Sequence, residues 1–132
     1  MGGEVSLRTV EATDQVKALV LWAPTATRAS DNRGFSAGRH MQGANAAPDS
    51  DQDGTSPMNY LKYIQTPISL HQGLADTEVN PEGSKQLNEA LKKEGKQLEY
   101  FEYEGQDHNF QNLGWDLIGK RTTDFFDSYL KK

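Results

Sequence analysis

The sequence predicts an α/β fold: about three parallel strands flanked by helices, in a three-layer α/β/α arrangement. Three observations lead there. Val16 to Trp22 is a nearly continuous apolar run, as a strand covered on both faces requires. From residue 57 onward strand and helix patterns alternate, the mark of right-handed crossovers building a parallel sheet. The last helix, from about Trp115 to Leu130, carries the pairs Leu117/Ile118, Phe125/Phe126 and Tyr129/Leu130 at helical spacing.

The first elements are short. Val5, Leu7 and Val10 give a weak helical stripe over Glu4 to Val10, and Asp14-Gln15 punctuates before the first strand, which Ala23-Pro24 ends. Residues 25 to 55 hold only Phe35 and Met41 as large apolar side chains, so they read as a flexible or lid-like insertion. Ser56-Pro57 opens a short helix with Met58, Leu61, Tyr63 and Ile64. Thr66-Pro67 then starts a strand, Ile68 to His71, with proline where a missing donor does least harm. After the turn Gln72 to Asp76, Asn80 is set as N-cap with Pro81 at the first helical position. Leu87, Ala90 and Leu91 form that helix's buried stripe, Lys92 and Lys93 meet its negative end, and Gly95 stops it. Leu98 to Tyr103 alternates as a strand near a sheet edge, and the loop Glu104 to His108 leads towards the last helix.

Composition removes whole classes of function. The chain has 132 residues, one domain's worth, with 35% hydrophobic and 25% charged residues. Its longest apolar run, Ala18 to Ala23, is too short to span a bilayer, and the start lacks a secretory pattern. No cysteine is present, which excludes disulfides, thiolate nucleophiles and zinc–sulfur sites. A net charge of -5 without a basic run argues against nucleic acid and anionic membranes as partners. The expectation is a small, soluble, cytoplasmic protein without cofactor.

In an open parallel sheet, function gathers in loops at the carboxyl ends of the strands. Two such loops carry acid–base groups, Asp76 beyond the second strand and His108 beyond the third. An aspartate bonded to one ring nitrogen of a histidine fixes its tautomer and leaves the other nitrogen as a base. On spacing alone the two read as ordinary surface residues.

Their surroundings say more. Residues 56 to 79, SPMNYLKYIQTPISLHQGLADTEV, closely resemble the segment around the catalytic aspartate of α/β-hydrolases. The likeness is best to the prolyl oligopeptidase-like branch, with its dipeptidyl and acylaminoacyl peptidases and related esterases. There an apolar strand ends in His-Gly-x-x-Asp-x-x-Val. Gly73, Asp76 and Val79 keep that spacing, and Gln72 is expected to alter nothing essential. Residues 95 to 110, GKQLEYFEYEGQDHNF, resemble the family's last strand and catalytic-histidine loop, and the final helix its closing helix. The resemblance is strong over residues 56 to 132, moderate over 1 to 24 and absent over 25 to 55. It implies a partial α/β-hydrolase fold in which Asp76 is the triad acid and His108 the general base, acting on a peptide or ester.

The same resemblance demands a serine on a Gly-x-Ser-x-Gly elbow, which this sequence lacks. Family elbows often read Gly-x-Ser-Met-Gly-Gly, so Met1-Gly2-Gly3 resembles the three residues after that serine. Ser6, Ser69 and Ser84 fall inside regular elements, Ser56 precedes a proline, and Ser30, Ser36 and Ser50 lie in the insertion. None has the exposed, strained setting of a nucleophile.

Weaker signals yield bland readings. Asp49 to Gly54 fits the first half of an EF-hand loop, but Tyr60 stands where the bidentate glutamate belongs. Met1-Gly2 with Ser6 formally fits an acylation signal, better explained by the elbow. His40 and His71 have no metal-ligand spacing, and His71 reads as structural.

Two functions are therefore expected in competition. One is the carboxy-terminal part of a serine hydrolase whose serine comes from elsewhere. The other is an inactive remnant serving as an oligomerising module. The strand at residues 17–22 has no proline or bulge to blunt an edge, so it or its flanking helices are expected to form a homo-oligomer.

Overall fold

The computed structural model describes residues 2–25, 56–111 and 115–131. Almost all of the insertion expected at 25–55 lies outside them, with His40, the acidic run 49–54, Ser30, Ser36 and Ser50.

Helix α1 spans Gly2–Ala12, strand β1 Leu19–Trp22, strand β2 Ile68–Gly73, helix α2 Pro81–Lys93, strand β3 Leu98–Tyr103 and helix α3 Trp115–Leu130. The strands form one parallel sheet in the order β1-β2-β3, with Leu19 opposite Ile68 and Ile68 opposite Leu98. Strand alternation divides the core between two faces. Leu21, Ile68 and Leu70 pack with Leu7 and Val10 of α1 and Leu87 and Leu91 of α2. Behind the sheet, Tyr103 packs with Ala23, Phe110 and Ile118 of α3. Each fully buried aliphatic side chain contributes roughly 1.5–3 kcal/mol, so these contacts carry the stability. The three layers match the expected architecture. No described helix is long and apolar enough to cross a membrane.

Helix α1 extends two residues beyond each expected end and β2 two residues beyond His71, and two further elements differ from the sequence reading. The first strand starts at Leu19 rather than Val16 because of what lies opposite. Ile68 N–H bonds Gln97 on the β3 side, so the N–H of residue 67 would point at β1, and Pro67 has none. The Pro67 carbonyl still accepts from Leu19, and the Thr66 hydroxyl donates to the Val16 carbonyl instead. The short helix after Ser56 is two 3-10 turns, Pro57–Asn59 and Leu61–Tyr63. Ser56 caps the first, and Tyr60, at φ -124 and ψ 4, leaves helical geometry between them. Asn59 and Tyr60 are weak helix formers, and burial of Pro57, Leu61 and Ile64 fixes the segment instead.

The frame of α2 is as expected. Asn80 Oδ1 accepts from Glu82 N–H, and Gly95, at φ 67, ends the helix while Lys96 N–H returns to the Leu91 carbonyl.

Candidate active site

The parallel order puts the ends of β1, β2 and β3 on one rim, where Trp22, Gly73 and Tyr103 are the last residues. The two loops leaving β2 and β3 are tied together there. Leu74 N–H bonds the Tyr103 carbonyl at 3.0 Å, and Ala75 N–H bonds the Gln106 carbonyl at 2.9 Å. Gly73 makes this approach possible. A Cβ on it would stand 2.4 Å from the Gln106 carbonyl oxygen and 2.6 Å from that of Asp107. Only a residue without a side chain fits.

Asp76 follows in a turn that fixes one carboxylate oxygen. Its Oδ1 accepts from the backbone N–H groups of Glu78 and Val79, both at 2.8 Å. Its Oδ2 accepts from His108 Nδ1 at 2.8 Å and from Gln72 Nε2 at 3.2 Å. The carboxylate is buried and receives four hydrogen bonds, which balance the cost of taking it out of water.

His108 sits in a loop held on both sides. Asp107 Oδ1 accepts from Asn109 N–H and Gln111 N–H, each at 3.1 Å. Phe110 anchors the next turn at φ 54, a strained backbone for a bulky residue. Its buried ring lies edge-on to Trp22 and Tyr103, at 6.3 and 5.6 Å. The His108 side chain itself stays 31% exposed. With Nδ1 donating to the carboxylate, Nε2 is the nitrogen left to accept a proton.

A second histidine lies deeper. His71 and Ser69 point from β2 to the α3 face, and both are fully buried. Ser69 Oγ donates to Glu99 Oε1 at 2.7 Å, so its single proton is spent. The contact between Ser69 Oγ and His71 Nε2, at 2.9 Å, therefore has the ring as donor. Nδ1 is then the acceptor for the Tyr103 hydroxyl at 2.7 Å. Burial, helped by the positive charge of Arg121, lowers the His71 pKa to about 4, so the ring is neutral. Burial also raises the pKa of Tyr103, which keeps its proton. Arg121 closes this layer, 4.2 Å above the Phe101 ring and 5.2 Å from that of Tyr103. Ser69 and His71 thus touch without forming a nucleophile–base pair.

The structure brings Asp76 and His108 together. It corrects the expectation for Gln72, which bonds Asp76 directly. No spacing rule signals that contact. Four further serines are also engaged: Ser6 donates to the Gly2 carbonyl, Ser56 accepts from Met58 N–H, Ser84 donates to Gln72, and Ser128 donates to the Asp124 carbonyl. The glycines expected after an elbow lie on the same rim, and a Cβ on Gly3 would come within 2.4 Å of Pro24 Cβ. Among the described residues no three potential ligand side chains gather as a metal site.

Comparison with known proteins adds the lineage. The sequence model of the prolyl oligopeptidase family matches residues 1–132. No curated protein matches the chain. Among solved structures it is similar to an acylaminoacyl peptidase in complex with Z-Gly-Gly-Phe-chloromethyl ketone, with TM-score 0.83 and 21% identity over 99% of this chain and 23% of that one. A Mycobacterium tuberculosis puromycin-hydrolyzing peptidase gives TM-score 0.81 and 22% identity over 98% and 20%. Thermogutta terrifontis esterase 2 gives 0.68 and 22% over 96% and 51%. The chain spans about a quarter of the acylaminoacyl peptidase's length.

Proposed function

The chain belongs to the prolyl oligopeptidase family, and on that premise we propose that it supplies the acid–base half of a serine hydrolase acting on peptide or ester bonds. The observation that carries the reading is the 2.8 Å bond between Asp76 Oδ2 and His108 Nδ1 on the rim of a parallel sheet. In this reading Asp76 holds His108 in the Nδ1–H tautomer. Nε2 takes the proton from a serine hydroxyl as that oxygen attacks the scissile carbonyl, then delivers it to the leaving amine or alcohol. The buried carboxylate stabilises the imidazolium formed between those transfers. The serine comes from outside these 132 residues, a view supported by the engagement of Ser6, Ser56, Ser69 and Ser84 in other bonds.

A fluorophosphonate probe tests this. The isolated chain is expected to remain unlabelled. Stoichiometric labelling would require a nucleophilic serine within it and would overturn this division of the machinery.

A second reading, an oligomerising module without hydrolase activity, has its own support. Among the described residues β1 pairs with β2 alone, and Trp22 and Trp115, whose rings lie 5.1 Å apart at the rim, are exposed. The occupant we propose for the free β1 edge is a second copy of the chain, related by a two-fold axis. Light scattering is expected to give a dimer or larger species at micromolar concentration; a monomer there rejects the contact.

A further inference from the structure

We propose that Gln72 is a positioning residue for the Asp76–His108 pair, and that Ser84 on α2 sets the orientation in which Gln72 works. The inference rests on the acid–base reading of that pair and extends it to two residues that touch no substrate.

The chemistry of the neighbours fixes the Gln72 amide. Its Nε2 lies 3.2 Å from Asp76 Oδ2 and 3.0 Å from the Gly73 carbonyl oxygen, both acceptors. Its Oε1 lies 2.6 Å from Ser84 Oγ, which has a proton to give. Flipping the amide would set oxygen against two acceptors at once, so one orientation survives. Gln72 and Ser84 are fully buried, where such bonds are stronger than in water.

The consequence falls on one oxygen. Asp76 Oδ1 is committed to Glu78 and Val79 N–H groups, which hold the carboxylate in place but leave Oδ2 to side chains. Oδ2 accepts from two donors, and the Gln72 N–H takes part of the negative charge that would otherwise concentrate on His108. Gln72 therefore keeps the second oxygen aimed and tempers its bond to the imidazole. Ser84 reaches the pair only through Gln72, which makes the order of action testable.

The experiment is nuclear magnetic resonance of the full chain, whose three histidines are separable by single substitution. The readout is the low-field proton on His108 Nδ1. Asp76→Ala should remove it. Gln72→Met keeps the apolar volume but has no donor, and should move it further downfield because Oδ2 becomes a stronger acceptor. Ser84→Ala leaves the glutamine in place but unanchored, and should move it in the same direction by less; it also serves if Gln72→Met fails to fold. A signal unmoved in the folded Gln72 and Ser84 variants, yet lost in Asp76→Ala, would overturn the role of Gln72 and leave the pair intact. A wild-type chain with no Asp76-dependent signal would instead overturn the pair itself. Gln72→Met combined with Ser84→Ala should shift the signal no further than Gln72→Met alone.

Discussion

His71 and His108 stand on neighbouring strands or their loops, and each bonds a side chain through Nδ1, yet they are opposite kinds of histidine. His71 is sealed between β2 and α3, bonded at both nitrogens to hydroxyl groups, with Arg121 close by. His108 is partly exposed, on a loop, with its Nδ1 given to a carboxylate. A carboxylate partner stabilises a charge that forms on the ring, whereas neutral hydroxyls and a neighbouring cation do not. Proximity to a serine is thus a poor guide to chemistry here. The histidine beside Ser69 is the structural one, and the one proposed as a base has a buried anion behind it.

The sharpest way to break this contrast is deletion. His71→Ala leaves a cavity and strips the Tyr103 hydroxyl of its acceptor, and should cost about 3 kcal/mol of stability in urea unfolding. His108→Ala removes a partly exposed ring and should cost less than about 1 kcal/mol. Equal losses would erase the distinction.

Gly73→Ala tests the framework that separates them. Its methyl group meets two carbonyl oxygens, so about 1–3 kcal/mol should be lost as the loops move apart. The His108 Nδ1–H signal should weaken in the same variant.

Acidification gives a smaller, graded effect. The His71 pKa is about 4 when folded, against an ordinary 6.5. Between those values the unfolded chain binds a proton that the folded chain refuses, so stability falls as pH falls. The slope approaches about 1.4 kcal/mol per pH unit, roughly 2 kcal/mol by pH 5. Unfolding measured from about pH 7 to 5 in the wild type and in His71→Gln checks this; the variant should lose that slope.

The last test reads access alone. Diethyl pyrocarbonate should modify His108 in the folded protein, while His71 reacts only as the sheet opens. Mass spectrometry of the modified peptides separates the two sites.

Most of the frame was legible in the sequence because it is local. The α2 boundaries follow from Asn80, Pro81 and Gly95, and β2 and β3 from apolar patterning bounded by Pro67 and by Gly105. Asp76 and His108 were legible through the motifs around them. Gln72 was not, because its bonds to Asp76 and Ser84 depend on how α2 returns over β2. The Tyr103–His71 bond likewise needs the register, which sets Gly73 opposite Tyr103 and His71 opposite Phe101. The 3-10 turns escaped for another reason: Met58, Leu61, Tyr63 and Ile64 read as one short helix, while Tyr60 interrupts it.

The bond between Asp76 and His108 also has a short genealogy within the chain. Only 32 positions separate the partners, and the crossover β2–α2–β3 with its outgoing loop contains both, together with Gln72 and Ser84. The side-chain bonds that reach the imidazole through Asp76 are therefore inherited as one contiguous block. A gene that exchanged, duplicated or split outside that block would carry Asp76 and His108 together, already matched. In the proposed reading the serine answers to a different stretch of polypeptide and has to be matched to them anew.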